Sequence, residues 1–389
     1  MARVLFHIDI NAFFASVEEI KNPNLIGLPI GIGSNSRRSV LSTANYIARE
    51  YGVHAAMPVY EALRRCPDLI LCEVDYESYE KMSRQFFRVL HQFTHKIEPA
   101  SIDECYMDVT EIIVKYSRPL DLAYQIQQEV YEKTGLSVSI GVAPTKFLAK
   151  MASDMRKPKG ITVLRKSELD VKLWPLSVDK IHGLGKKSVP LILKHNIQTI
   201  GDFADENNER LILSLLGKNA YSLILKTRGI STDQLEYSFT QKSVSASKTY
   251  TNDLSSIEEV REQAGILVRS LANKMKEDNQ KGKIISLTLR DIHFHNTVRS
   301  FTFHAFTNDP STMYEAINNL IDENYEEVGY RHLAVGMGSI KNENNIIEQP
   351  TLFESIQTNP TQDILERLNR NDQGITFKTA SDLLKEKKK

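Results

Sequence analysis

The sequence predicts a multi-domain α/β protein, and three features of it do so. Its 389 residues exceed what one hydrophobic core usually organises. Short apolar, β-favouring runs alternate with helical periodicity over residues 3–165, a pattern that suits an α+β sheet with helices packed on one face. The character then changes twice: residues 166–230 read as short helices joined by glycine turns, and an α/β pattern returns near residue 242.

Residues 3–10 (RVLFHIDI) predict a short buried strand ending at Asp9, and NAFFASVEE over 11–19 continues it as a helix. Residues 21–74 are compact and rich in small side chains. Over 76–94, Met82, Phe86, Val89, Leu90 and Phe93 recur on one side of a helix. A strand at 101–109, a helix at 119–133, a strand at 137–142 and a helix at 145–153 follow. Residues 231–241 are polar and read as a linker. Beyond it, KIISLTLR alternates Ile285, Leu287 and Leu289 against Ser286, Thr288 and Arg290, the mark of a half-buried strand, and Leu333, Val335 and Met337 suggest a closing strand. From Asn342 onward a flexible tail is expected.

Composition excludes several classes. No apolar run is long enough for a membrane span, and MARVLFHIDIN lacks the apolar stretch and cleavage site of a signal peptide. Cys66, Cys72 and Cys105 form no CxxC pair and read as reduced thiols of a cytoplasmic protein. The 49 basic and 49 acidic residues cancel, which argues against a protein that coats nucleic acid indiscriminately. The distribution is uneven, however. Residues 146–228 hold 16 Lys and Arg against 8 Asp and Glu, and residues 242–299 hold 10 against 7. Such stripes suit phosphate binding, or equally a solvated basic face.

Chemistry concentrates at SIDECYMDV, residues 101–109. Acidic residues are poor strand formers, yet Asp103 and Glu104 stand at the edge of an apolar strand, as Asp9 does at the end of another. If the two strands are neighbours, three carboxylates converge. Divalent cations relieve the repulsion, and oxygen donors favour Mg²⁺. On a regular strand Asp103 and Glu104 would face opposite ways, so a tight turn or bulge is required. Taken singly, each acid reads as a turn cap or the partner of a nearby base. In STANYIAR, Thr43, Tyr46 and Arg49 are spaced three apart and would line one face of a helix, a hydroxyl, a phenol and a guanidinium suited to a triphosphate. Lys157 lies in a Pro- and Gly-bounded loop and can add a point charge. In DKIHGLGKKS, Gly183 and Gly185 form a turn between short helices that can present backbone N–H groups to a phosphate, beside Lys186 and Lys187.

In order, HIDINAFFASVE, RRSVLSTANYIAREYGVHAAMP, IEPASIDECYMDVT, SIGVAPTKFLAKMASDMRKPKG and IHGLGKKS resemble the motifs of the Y-family, or translesion, DNA polymerases over residues 1–340. The resemblance implies a right-hand polymerase: a palm at 1–20 and 75–165, small fingers at 21–74, a helical thumb at 166–230, and a separate α/β little finger at 242–341. By resemblance, Asp9 and Asp103 bind two Mg²⁺ ions, for which Mn²⁺ can substitute. Glu104 binds the ion near the primer 3′-hydroxyl, and the Ile10 carbonyl completes the other site. Thr43, Tyr46, Arg49 and Lys157 would hold the incoming deoxynucleoside triphosphate. Phe14 corresponds to the steric gate that excludes a 2′-hydroxyl, with Phe13 packed behind it and Tyr79 near the same pocket; from pattern alone, adjacent phenylalanines in a helix read as core.

One departure is visible: many members carry a second acid where this chain has Asn11, a position outside the metal-binding set. In the little finger, Lys248, Thr249, Arg290 and Arg299 are candidate contacts to primer–template phosphates. EQPTLF over 348–353 resembles a sliding-clamp docking peptide, with Gln349, Leu352 and Phe353 as anchors. The expected enzyme is a monomeric, error-prone polymerase without proofreading. A non-catalytic DNA- and clamp-binding regulator and a nucleotide cyclase are the alternatives. The intact acidic and triphosphate sets argue against the first, and the thumb turn and basic stripes against the second.

Overall fold

The computed structural model describes residues 3–346 apart from Arg37, Thr232 and Phe239. The chain divides into two compact units, the first running to Gln241 and including Thr249–Asn252, the second made of Lys242–Lys248 and the chain from Asp253.

The first unit starts with β1 (Leu5–Ile10), buried along its whole length, and α1 (Phe13–Lys21). A small lobe follows: β2 (Ile30–Ile32), β3 (Thr43–Ala44), α2 (Tyr46–Glu50), α3 (Val59–Arg65) and β4 (Ile70–Cys72), with the strands in the order β3-β2-β4. The chain then runs through α4 (Tyr76–Leu90), β5 (Ile97–Pro99), β6 (Glu104–Asp108), α5 (Pro119–Thr134), β7 (Val138–Ala143), α6 (Lys146–Met155) and β8 (Ile161–Val163). The main sheet has the order β5-β6-β1-β7-β8, which places β1 between β6 and β7.

Side chains alternate across β1, and the alternation sorts its two jobs. Phe6, Ile8 and Ile10 join a core with Phe86 and Leu90 of α4 and Ile126 and Val130 of α5. Leu5 joins a second core with Leu148 and Ala152 of α6. The sheet is therefore covered on both faces, not on one as the alternation of elements suggested, and His7 and Asp9 share the α6 side. Gly141 of β7, paired with His7, lets α6 approach: a Cβ there would stand 1.9 Å from the Ala149 carbonyl oxygen. Only glycine tolerates that contact.

The helical region holds α7 (Leu169–Lys172), α8 (Val189–Leu193), α9 (Ile200–Ala204), α10 (Glu209–Leu216) and α11 (Ala220–Thr227). Its apolar residues Leu173, Ile192, Phe203 and Ile224 belong to the same core as α6, so this region docks on the helix that covers the Asp9 face. The segment read as a linker is tied down within the first unit. The Asp233 carbonyl accepts from Arg3 at 2.7 Å, and the Glu236 amide donates to Glu98 at 2.8 Å.

The second unit contains β9 (Ser243–Leu254) apart from Thr249–Asn252, with α12 (Ile257–Glu277), β10 (Gln280–Asp291), β11 (Asn296–Thr307), α13 (Pro310–Asn324), β12 (Tyr330–Gly338) and β13 (Lys341–Asn342). The sheet order is β11-β10-β12-β9, so the strand with Leu333, Val335 and Met337 is internal and β9 closes the sheet. Ile285, Leu287 and Leu289 are buried with Leu333, Val335 and Met337 on the side that packs on α12 and α13. The order continues past residue 342: Asn342 pairs with Gln280, and the Lys281 ammonium meets Glu343 at 2.7 Å. All three cysteines are free thiols, Cys66 and Cys105 buried and Cys72 half-buried, as their packing role requires.

Candidate active site

The register of the main sheet brings the acids together. Asp9 and Glu104 are paired residues on antiparallel β1 and β6. Asp103 precedes Glu104 in the tight turn the sequence required: the Ala100 and Ser101 amides both donate to the Glu104 carbonyl, at 2.9 and 3.2 Å. The strand expected from residue 101 thus starts at Glu104. Ser101 Oγ accepts from the Asp103 and Glu104 amides at 3.2 and 3.1 Å and donates to Asp103 Oδ1 at 2.5 Å. The Ile10 amide donates to the Asp103 carbonyl at 3.0 Å, which locks the turn to the end of β1.

Two ammonium groups lie among these acids. Lys150 of α6 reaches Asp9 Oδ2 at 3.2 Å and Glu104 Oε2 at 2.8 Å, and Lys157 reaches Asp9 Oδ1 at 2.7 Å. Asp154 holds both lysines, Lys157 at 2.8 Å and Lys150 at 3.7 Å. Burial pulls both ammonium groups toward neutrality, but the surrounding carboxylates outweigh it and keep them charged. Glu104 is held well below the usual carboxylate range by His7 and Lys150. The His7 contact is long, 3.5 Å, and burial keeps that imidazole neutral, so Lys150 is the effective partner. His7 Nδ1 meets Ser153 Oγ of α6 at 2.8 Å.

Asp103 differs. Burial and the charges of Asp9 and Glu104 push its carboxyl upward, and no ammonium or guanidinium stands against it among the described residues. No ready-made group of three or more His, Cys, Asp or Glu stands around an ion position among the described residues, because the lysines occupy the space between the acids. The donor set nevertheless fits a hard divalent cation: it is all oxygen, and burial together with the charges of Asp9 and Glu104 disfavours the ionised form of Asp103, which a cation would favour.

The triphosphate set is assembled, by a different local structure from the one expected. Thr43 lies in strand β3, and α2 begins only at Tyr46, with Asn45 as its cap accepting from the Ala48 amide at 3.0 Å. A residue that caps a helix cannot also extend it. Arg49 reconnects the three: its Nη2 approaches Thr43 Oγ1 at 3.4 Å, its Nε donates to the Ala44 carbonyl at 2.9 Å, and its guanidinium lies 4.7 Å from the Tyr46 ring centre. The Tyr46 phenol is pushed up by burial, against the opposing charges of Arg49 and Lys157.

Phe13 and Phe14 separate in role. Phe13 is 3% exposed and belongs to the core, whereas Phe14 is half-buried at its margin. Phe14 stacks on Tyr79 with ring centres 4.1 Å apart and planes 10° from parallel, and Tyr79 donates to Glu18 at 2.9 Å. The ring is thereby fixed in orientation from behind. Asn11 fixes the Lys157 loop: its Oδ1 accepts from the Lys159 amide at 2.8 Å and its Nδ2 donates to Ser139 at 2.8 Å.

Residues 8–154 match the impB/mucB/samB family, and residues 241–352 match the C-terminal domain of that family. DNA polymerase IV of Oceanobacillus iheyensis is 37% identical over 357 residues, covering 90% of this chain and 84% of that protein. DNA polymerase IV 1 of Bacillus subtilis is 34% identical, covering 100% and 95%. Among solved structures, a Y-family DNA polymerase chimera of Dbh and Dpo4 superposes with a TM-score of 0.78 at 27% identity, covering 89% of this chain and 100% of that one. The chain belongs to the Y-family DNA polymerases. It is a DNA-directed DNA polymerase of the translesion type, with DNA and deoxynucleoside triphosphates as substrates, and its family depends on a divalent metal.

In this polymerase the Gly183 turn lies between a 3₁₀ turn at Val178–Lys180 and α8, with Gly183 at φ 92°, a backbone angle only glycine adopts freely. Gly185, Lys186 and Lys187 are exposed beside it. A cavity of about 390 Å³ adjoins the turn, with Tyr106, Lys146, His182 and Lys226 in its wall. Around the second sheet, the four candidate phosphate contacts differ in strand parity. Arg290 pairs with Asn296 and His332 on the open face of the sheet, while Arg299 pairs with buried Leu287 and so has the parity of the helix-covered face. Lys248 and Thr249, adjacent on β9, point to opposite faces. Gln349, Leu352 and Phe353 lie outside the described residues.

Sequence reasoning missed Lys150, Asp154, His7 and the anchoring role of Asn11. The signal for Asp154 was present, four residues after Lys150 and three before Lys157 on a helix and its end. That for His7 was its parity with Asp9. Nothing local marked Lys150, whose importance follows from how α6 docks. No helix among the described residues is long and apolar enough to cross a membrane.

Proposed function

We propose that the chain performs template-directed nucleotidyl transfer with two Mg²⁺ ions, without proofreading, in DNA damage tolerance. The observation that supports this most is the placement of Asp9, Asp103 and Glu104 at one sheet end with Lys157 against Asp9, beside a second set in which Arg49 joins Tyr46 and Thr43. Asp9, Asp103, Glu104 and the Ile10 carbonyl would hold the ions. When bound, these supply charge neutralisation at the α-phosphate and favour the ionised primer 3′-hydroxyl. Lys157, Arg49, Tyr46 and Thr43 orient the triphosphate, and the Phe14 ring lies under the sugar and blocks a 2′-hydroxyl. Most of the acceleration comes from positioning and fixed charge, because the carboxylates, the lysines and the Ser101 turn are held before substrate arrives.

The main sheet with α1, α4, α5 and α6 serves as palm, residues 21–74 as fingers, 166–230 as thumb, and the second unit as little finger. The Gly183 turn grips a backbone phosphate, and the open face of the second sheet follows the duplex. Small side chains suit close approach there: Ser286, Ser300, Ala334 and Gly336 occupy it. Gln349, Leu352 and Phe353 dock on a sliding clamp and raise the local concentration of the enzyme on DNA. The enzyme works as a monomer.

Primer extension with Mg²⁺ on an undamaged template, wild type beside Asp103→Ala, tests the catalytic reading. Loss of extension with primer–template binding retained supports it; extension by both would remove Asp103 from the metal set. Deleting 349–353 should leave extension without clamp intact and abolish stimulation by clamp. Persistent stimulation would place the docking segment elsewhere.

A further inference from the structure

The β10–β11 hairpin carries an aromatic ring that the fold does not use. Phe294 is 61% exposed and sits at φ 68°, a backbone angle that glycine or asparagine adopts readily and phenylalanine does not. The turn needs no aromatic ring. Asp291 Oδ1 accepts from the His293 and His295 amides at 2.8 Å each, and the Phe294 amide donates to the Asp291 carbonyl at 3.2 Å; each bond would form equally with glycine at 294. A large apolar side chain is thus held out in solvent, on a backbone that disfavours it.

Its surroundings specify a class of ligand. The Arg331 guanidinium lies 3.8 Å from the ring centre, backing one face. Ile292, two residues earlier in the same turn, is 43% exposed, and the His293 and His295 rings lie 6.2 Å from each other. Arg290 and Arg299 stand at the base of the hairpin; Asp291 is the single acid from 290 to 299, and its carboxylate is engaged by the turn. An exposed ring backed by a guanidinium stacks on the face of an unpaired nucleobase, while Arg290, on the open face, meets a phosphate of the same strand. A paired base inside a duplex has no free face to offer.

We propose that Phe294 is a stacking platform for an unpaired base of single-stranded template DNA. This rests on the reading of the second unit as the duplex-gripping domain, and adds to it a contact that distinguishes template overhang from duplex.

The test uses the full chain, wild type beside Phe294→Gly and Phe294→Trp. Affinities are read by fluorescence anisotropy on a blunt duplex and on the same duplex with a 5′ template overhang, and 2-aminopurine emission is scanned along the overhang. Stacking on an aromatic side chain predicts a loss of about fivefold or more for Phe294→Gly on overhang DNA. Affinity for the blunt duplex should be unchanged, and Phe294→Trp should bind at least as well as wild type. Quenching at one overhang position should vanish in Phe294→Gly. Its thermal midpoint should be equal to or above that of wild type, because glycine suits the turn. Equal loss on both DNAs, no loss on either, retained quenching, a lowered midpoint, or a defect confined to clamp stimulation would each overturn the proposal. Failure of the wild type to bind even the blunt duplex would instead overturn the duplex-gripping reading.

Discussion

The two large sheets of this molecule solve opposite problems. The sheet of the first unit has strands of three to six residues, and its central strand is buried on both faces. Its chemistry sits at one end, where register decides which side chains meet. The second sheet has helices on one face, three strands of twelve residues, and an open face where Ser286, Ser300, Ala334 and Gly336 lie beside Arg290, Val298 and His332. A double-covered sheet holds a few charged groups with the precision that metal and phosphate chemistry needs, and a half-covered sheet offers a broad surface for a long ligand. Changes at the first should be severe and local, and changes at the second shallow and salt-dependent.

The largest expected effect is at Asp103. Asp103→Ala should lower extension by about a thousandfold or more, since the charge it contributes to transition-state stabilisation is worth several kcal/mol. Asp103→Asn should be as inactive yet more stable than wild type without metal, because it removes a carboxylate raised by burial and by Asp9 and Glu104. The sign follows from that upward shift. Ionisation destabilises the fold, so the advantage of Asn is present above the raised folded value and fades as pH falls through it. Thermal midpoints across pH in a chelator measure this.

Next comes Lys150. Lys150→Met leaves Asp9 and Glu104 facing each other without their shared ammonium, and breaking a buried pair in this way costs about 3 kcal/mol. The midpoint in chelator should drop, and Mg²⁺ should recover more of it than in wild type. An unchanged midpoint would mean that the ammonium does not hold the acids. Phe14→Ala should raise ribonucleotide incorporation by about ten- to a hundredfold, the equivalent of relieving 1–3 kcal/mol of overpacking. Single-nucleotide insertion with paired ribo- and deoxynucleotides reads it, and unchanged sugar selection would remove the gate. The smallest effects lie on the second sheet. Arg290→Ala should reduce the salt slope of DNA binding by about one, and Arg299→Ala by less, because only Arg290 has the parity of the open face. Equal slopes would show that DNA is not confined to that face.

Much of the site was legible because polymerase chemistry leaves charged residues at the ends of apolar strands, where they stand out. Asp9 and Glu104 emerged in this way, and so did the need for a turn at Asp103. The triphosphate residues were found by a helical spacing that does not exist, since Asn45 caps α2 and leaves Thr43 on a strand. Their chemistry survived because Arg49 is long enough to reach back to Thr43. The faces of Lys248, Thr249 and Arg299 were not legible for the converse reason: a charged residue on an exposed edge strand shows no alternation against which to judge its side.

By itself the sequence determined the alternation of elements, the order of the regions, and the identity of the groups that carry charge, because hydrophobic period and side-chain chemistry are local properties. Tertiary structure alone decided the second cover on the main sheet, the descent of α6 onto Gly141 that delivers Lys150 between Asp9 and Glu104, and the split of Arg290 from Arg299. Each of these depends on how close one element comes to another and on strand register, and both are set by packing between residues far apart in the chain.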